Sequence, residues 1–253
     1  MVKSEFFIVP WGDHLGELGT GLLVTLQYTF VSFVGAVIVG LLAALARRSN
    51  VKVLKFIAAL YTEFFKNVPL LVIVFVFYFG LATVGLKLSA FMSGAIGLIV
   101  FFGAYLSEIF RAAMNGVDKG QTEGAQALGM RRGAVFAHII APQAIRLALP
   151  GMNAYLVDLL KSTSILVTIA AGELMAKGQV IAAKTFAPLE VYIVIAIIYF
   201  VMCYPLSQLL LWVERKVTRG DPLFAGRARR LRKISAALAA DYQVTTGLIR
   251  RVQ

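Results

Sequence analysis

Glu123-Gly124-Ala125-Gln126-Ala127-Leu128-Gly129 is followed ten residues later by Ile139-Ile140-Ala141-Pro142. The stretch is small, helical in pattern, punctuated by glycine and amphipathic, and it interrupts a chain that is otherwise mostly apolar. A polar island between apolar runs faces water or another protein. Its reading decides which parts of the chain cross a bilayer and what the remainder docks onto.

Of the 253 residues, 59% are hydrophobic and 15% charged, whereas a soluble domain is normally about a quarter charged. Several apolar runs are long enough to cross a bilayer, which takes roughly 20 residues at ~1.5 Å rise each. They are continuous rather than alternating in period two, which argues against a β-barrel. The predicted fold class is all-α and integral to a membrane, with five transmembrane helices. The spans are placed at about Thr20 to Ala46, from Leu70 to near Leu81, Leu88 to Phe110, Leu147 to Ala171 and Ala187 to Val213.

Lys and Arg are retained on the cytoplasmic side of such spans. Arg47, Arg48, Lys52, Lys55 and Lys66 follow the first span; Arg111, Lys119, Arg131, Arg132 and Arg146 follow the third; ten more follow the fifth, from Arg215 onward. Only Lys3, Lys87, Lys177 and Lys184 fall on the other side, with Lys161 inside span four. The N-terminus is therefore expected outside and the C-terminus inside. Residues 1–18 read as an outer segment, 19–217 as the transmembrane domain and 218–253 as a basic cytoplasmic tail. Arg47-Arg48 after span one, rather than a charge before it, argues against a cleaved signal peptide. Basic loops beside spans sit against anionic lipid at ~1 kcal/mol per residue, so the net charge of +12 calls for no nucleic acid. The single cysteine, Cys203, allows neither an intramolecular disulfide nor a multi-Cys metal site. Neither His14 nor His138 has a ligand cluster beside it in sequence, so no metal is expected.

The longest polar interruption runs from Gly116 to Arg146. Asp118 and Thr122 are candidate helix N-caps, and Glu123 in a first turn would suit the positive end of the helix dipole. Gly129 is placed to end that helix in a left-handed conformation. A second helix would run from about Arg131 to Ile140 and stop at Pro142.

Glu123-Gly124-Ala125, three residues, Gly129, nine residues, then Ile139-Ile140-Ala141-Pro142 resembles the EAA loop of bacterial ABC-importer permeases. From about Gly19 to Lys216 the chain is similar to the binding-protein-dependent, polar amino acid branch of that family, the histidine/glutamine/arginine-type permeases. Lys66-Asn67-Val68-Pro69-Leu70-Leu71, Ala104-Tyr105-Leu106-Ser107-Glu108-Ile109-Phe110-Arg111, Gly120-Gln121, Lys161-Ser162-Thr163-Ser164 and Glu173-Leu174 match its other segments. The chain departs from the pattern at Gly124 for Ala, Ala141 for Leu, and Lys66-Asn67-Val68 for Arg-Gly-Thr. Glycine in a helix costs about 0.5–1 kcal/mol relative to alanine.

The resemblance implies a type I ABC importer permease fold whose loop helix lies in a groove of an ATP-hydrolysing subunit. Glu123, Gly124, Ala125, Gly129, Arg131, Arg132 and Pro142 would carry that coupling, and charged side chains would fix its orientation. The plain alternative is a solvated connecting helix. No Gly-x-x-x-x-Gly-Lys-Ser/Thr occurs in the chain, so ATP and Mg are expected on the partner ATPase and no cofactor on this chain. The further partners implied are a second permease subunit, identical or similar, and a periplasmic or lipid-anchored substrate-binding protein.

Ionisable groups inside a membrane are functional candidates by default. Asp158 and Lys161 share a helix face at i, i+3, and Ser162, Thr163 and Ser164 add hydroxyls suited to the charged ends of an amino acid. The alternative is an ion pair that only packs spans, with hydroxyls bonded back to helix carbonyls. Glu108 and Arg111 repeat the spacing and read as a pair orienting the coupling loop. Asn67 and Pro69 interrupt a long second helix, leaving either free backbone groups for a polar solute or a mere kink. A permease for another solute (methionine, an opine), an ion-coupled secondary transporter and a membrane-embedded enzyme are the rival readings.

Overall fold

The structure, a computed structural model, describes residues 9–218; residues 1–8 of the outer segment and the basic tail from Arg219 onward lie outside the described residues. Ten α-helices and no strand occur among the described residues: α1 (Trp11–Arg48), α2 (Lys52–Asn67), α3 (Leu70–Phe75), α4 (Leu81–Thr83), α5 (Ala90–Asn115), α6 (Lys119–Ala127), α7 (Arg132–Val135), α8 (Ala141–Ser162), α9 (Leu174–Thr185) and α10 (Pro188–Thr218). Single π-turns at Val76–Gly80 and Phe136–Ile140 join α3 to α4 and α7 to α8, and a 3-10 segment, Thr163–Ile169, extends α8. Residues 9–211 form one unit; beyond it the last turns of α10 place Lys216 Nζ 4.7 Å from the Trp212 ring centroid.

Among the described residues four helical stretches are long and apolar enough to cross a membrane: Trp11–Arg48, Ala90–Asn115, Arg132–Ile169 and Pro188–Val217. A fifth exists where α2 and α3–α4 make one broken span, bent by 108°. The bend lies at Val68-Pro69. Val68 is extended (φ −100°, ψ 133°), as a residue before proline prefers. The first span begins at Trp11 rather than near Thr20. Its early polar groups find partners on other helices: Trp11 Nε1 donates to Glu190 at 2.9 Å, and Lys184 Nζ lies 3.0 Å from Glu17. Between the predicted fourth and fifth spans lies α9, whose 12 residues reach about 18 Å, short of the ~30 Å hydrocarbon core.

The bundle is built on α1 against α5. Lipid supplies no hydrophobic drive between helices, so close packing of small residues must hold them. Ser32, Ala36, Gly40, Ala43 and Ala44 are all buried along α1. A Cβ on Gly40 would sit 2.9 Å from the Gly103 carbonyl oxygen and from Leu106 Cβ, and one on Gly103 would sit 2.8 Å from the Tyr61 hydroxyl. Three helices thus meet at glycine contacts, and large apolar side chains such as Phe30, Leu42 and Phe200 point outward.

Gly40→Leu would force α1 off α5 at a cost of about 1–3 kcal/mol. The detergent-solubilised chain should melt several degrees lower, whereas Gly12→Leu, where a Cβ meets nothing within 4 Å, should melt at the wild-type temperature.

Candidate functional site

The polar loop between α5 and α8 folds around two local signals. Asp118 caps α6, its Oδ1 accepting from the Gly120 N–H at 2.7 Å. Gly129 (φ +80°) closes it: the Gly129 N–H donates to Gln126 O at 2.9 Å and the Met130 N–H to Ala125 O at 3.1 Å, the paired bonds of a Schellman end. Because α6 starts at Lys119, Thr122 is not a cap and Glu123 lies in the second turn rather than the first.

Ala125 is the one buried residue of α6 and belongs to the core with Val135 and Ile140. Glu123, Gly124, Gln126 and Leu128 are exposed, Leu128 at 86%. A Cβ on Gly124 would meet nothing within 4 Å, so the chain's own packing does not require glycine there. Among the described residues no ion pair joins Glu123 to Arg131 or Arg132, all three exposed. Glu123 instead lines a groove of about 660 Å³ with Arg48, Asn115 and Lys119.

Pro142 does not stop a helix, contrary to expectation. The chain runs through the π-turn at Phe136–Ile140 straight into α8, with Pro142 in its first turn. An N-terminal position tolerates the missing donor, and the Gln143 side chain donates to Ile139 O at 2.9 Å. The same amide reaches Gln121 Oε1, tying α6 to the root of α8.

Asp158 and Lys161 lie 22 residues or fewer from that root and pair at 2.9 Å, each more than half exposed. They line a groove of about 550 Å³ with Tyr105, Tyr155, Ser162 and Ser164. Tyr105 and Tyr155 rings stand 5.3 Å apart. Thr163 is not at this groove: it is fully buried, its hydroxyl donating to Leu160 O at 2.7 Å. Ser164 also bonds back, to Lys161 O at 2.8 Å. The two tyrosines escaped the sequence reading, although Tyr155 stands three residues before Asp158 on the same helix face.

The groove abuts the broken helix. Asn67 Nδ2 donates to Glu63 O at 2.7 Å, and the Tyr105 hydroxyl donates to Lys66 O at 3.1 Å. The Tyr105 hydroxyl thus satisfies a carbonyl left free at the end of α2, and Asn67 is occupied with its own helix. Glu108 is more than half of a pair. Its carboxylate accepts from Arg111 at 2.6 and 2.9 Å and from Arg47, with Lys66 Nζ at 3.9 Å. It clamps α1, α2 and α5 together. Glu173, fully buried, caps α9 by accepting from the Met175 and Ala176 N–H groups at 2.8 Å, and accepts from the Tyr199 hydroxyl at 3.1 Å. No group of three or more His, Cys, Asp or Glu able to hold a metal occurs among the described residues.

Residues 36–219 match the family described as binding-protein-dependent transport system inner membrane component. The chain belongs to that family. It is 34% identical over 207 residues to a probable glutamine ABC transporter permease protein, GlnM, of Bacillus subtilis (strain 168), covering 82% of this chain and 96% of that one. To the probable amino-acid ABC transporter permease protein YckA of the same organism it is 38% identical over 183 residues, covering 72% and 81%. The crystal structure of an amino acid ABC transporter with histidines superposes with a TM-score of 0.78 at 35% identity, over 81% of this chain and 96% of that one. An inward-facing MetNI methionine ABC transporter is alike in fold, with a TM-score of 0.66 at 18% identity over 80% and 96%.

Glu108→Ala would leave Arg47 and Arg111 unpaired between three helices. The loss of charge-assisted bonds should cost about 2 kcal/mol and lower the melting temperature in detergent. Glu63→Ala, which removes a carboxylate 59% exposed, should leave that temperature unchanged.

Proposed function

We propose that the chain is the membrane-spanning permease subunit of an ATP-driven importer for polar amino acids, moved through α6 by ATPase subunits. One observation carries the reading. A nine-residue helix, capped by Asp118 and closed by Gly129, presents Glu123, Gly124 and Leu128 outward while Gln121 and Gln143 join it to α8. The open space over Gly124 lets a partner surface approach the backbone closely, and Arg131 and Arg132 orient that surface. The relatives named for glutamine and amino acids support the substrate class.

A push on α6 travels along α8, whose 22 residues span about 33 Å, to the Asp158–Lys161 groove. The solute's ammonium takes Asp158 and its carboxylate takes Lys161, each replacing one half of the resting ion pair. The Tyr105 and Tyr155 faces attract a cationic side group. Two permease subunits, identical or similar, line the path. A periplasmic or lipid-anchored binding protein delivers solute outside, with the N-terminus on that side and the C-terminus in the cytoplasm, as the Lys/Arg asymmetry supports. ATP and Mg are bound by the ATPase subunits, and no cofactor by this chain. No bond in the solute changes; closure and opening expose the groove to opposite sides in turn.

Glu123→Lys should leave membrane insertion and assembly normal and uncouple ATP hydrolysis from uptake in proteoliposomes containing the ATPase and binding protein. Transport at the wild-type rate would remove α6 from the coupling role. Lys161→Ala should cut uptake at least tenfold with an unchanged melting temperature. Retained uptake with a lowered melting temperature would instead make the Asp158–Lys161 pair a packing device.

A further inference from the structure

Helix α6 is held by the rest of the chain on one side only. Ala125 is its buried residue, while Gly124 and Leu128, one turn apart, are exposed. Lys119, Thr122, Glu123 and Gln126 stand at i, i+3, i+4 and i+7 and so share one face. At about 100° per residue that face lies opposite to Gly124 and Leu128. It lines the groove of about 660 Å³. The rest of the lining includes Arg48 and Asn115, the last residues of α1 and α5, over a base of the buried Met114, Val117 and Ile140.

The groove holds charge that the chain does not answer. Among the described residues no ion pair reaches Arg48, Lys119 or Glu123; Arg48 has a long contact to Asn115 Oδ1, at 3.4 Å. Arg47, one residue earlier, shows the contrast, since Glu108 takes it up together with Arg111. Asp118, next to Lys119 in sequence, is turned to the Gly120 N–H as the cap of α6. Two cations against one carboxylate leave the lining with an excess of positive charge. The chain's own segment 218–253 is basic and cannot neutralise it, and the polar lining offers little to an acyl chain.

We propose that this groove is a socket for an acidic side chain of the ATPase subunit, which thereby holds α6 from two opposite faces. The proposal rests on the reading of α6 as the ATPase contact and adds a second point to it. On one face the partner lies over Gly124 and Leu128. On the other a carboxylate enters between Arg48 and Lys119, with its methylene stem on the apolar base. A guanidinium takes a carboxylate through two parallel hydrogen bonds, and water displaced by the partner strengthens the attraction. Thr122, Glu123 and Gln126 meet the backbone of the entering segment. Arg48 carries the grip beyond the loop, because it ends α1 next to Arg47, which Glu108 joins to α5. The partner then holds α6 and the end of the bundle together.

The test measures the affinity of the cognate ATPase subunit, without nucleotide, for the full chain in a neutral detergent. Arg48→Glu with Lys119→Glu should weaken binding roughly tenfold or more, the scale of a lost close charge pair across an interface, at an unchanged melting temperature. The loss should shrink as salt is raised. Lys52→Glu reverses an exposed cation of α2 that does not line the groove, and this chain should bind as the wild type does. A photo-crosslinking residue in place of Gln126 should capture the ATPase subunit beside one of its acidic residues. Unchanged affinity in the double reversal would overturn the socket while leaving α6 as the contact. An equal loss with Lys52→Glu would reduce the effect to general surface charge and overturn it too. No binding by the wild-type chain would sink the reading of α6 as the ATPase contact, and the socket with it.

Discussion

In hydrocarbon a backbone amide or carbonyl has no water to turn to, so every interruption of a spanning helix must supply its own hydrogen-bond partner. This chain interrupts its helices repeatedly, and the partners can be named. At Val68-Pro69 the freed carbonyl of Lys66 accepts from Tyr105. In the π-turn before Pro142 the Ile139 carbonyl accepts from the Gln143 side chain. Where the 3-10 segment gives way to α9, Glu173 accepts from two backbone N–H groups and Thr25 Oγ1 accepts from that of Leu174 at 3.2 Å. Several of these partners come from a different helix, so satisfying the backbone also docks the elements. The groove carrying Asp158 and Lys161 borders one such repair, through Tyr105.

The rest of the bundle follows from the missing hydrophobic drive. Small residues on α1 let backbones come within contact of α5, and the bulky aliphatic and aromatic side chains go to the outside. Buried charge is then tolerable only where it is shared. Glu108 sits among Arg47, Lys66 and Arg111, so the ends of α1 and α2 are fixed to α5 close to where the polar loop departs.

What could be read from sequence was local in origin. A proline breaks a helix where it stands, so the bend at Pro69 was legible. Glycine four residues after Ala125 ends a helix in the left-handed region, and Gly129 does. Residues at i, i+3 meet, and Asp158 meets Lys161. What was not legible depends on neighbours from distant positions. Pro142 passes through a helix because a π-turn precedes it and Gln143 is turned back. The early start of α1 needs Glu190 and Lys184, more than 160 residues away, to take up Trp11 and Glu17. The short α9 reads as a plain connection until Glu173, Thr25 and Tyr199 are seen to hold its start. Thr163 shares its hydroxyl chemistry with Ser162 and Ser164 but not their exposure.

The path from α6 to the groove is not a uniform rod. A π-turn and an internal proline each remove a regular i→i−4 bond, so bending of the α7–α8 rod is cheapest at Phe136–Ile140 and at Pro150. Beyond Pro150 the helix is tightly held. A Cβ on Gly151 would sit 2.8 Å from Ile109 Cδ1, and Asn153 Nδ2 contacts Leu210 O at 3.4 Å. Ile109 is the neighbour of Glu108, so the second compliant point rests directly on the clamped end of α5. The irregular residues of α8 thus stand beside the Glu108 clamp, with fewer regular backbone bonds on one side and a close-packed, ion-paired helix end on the other.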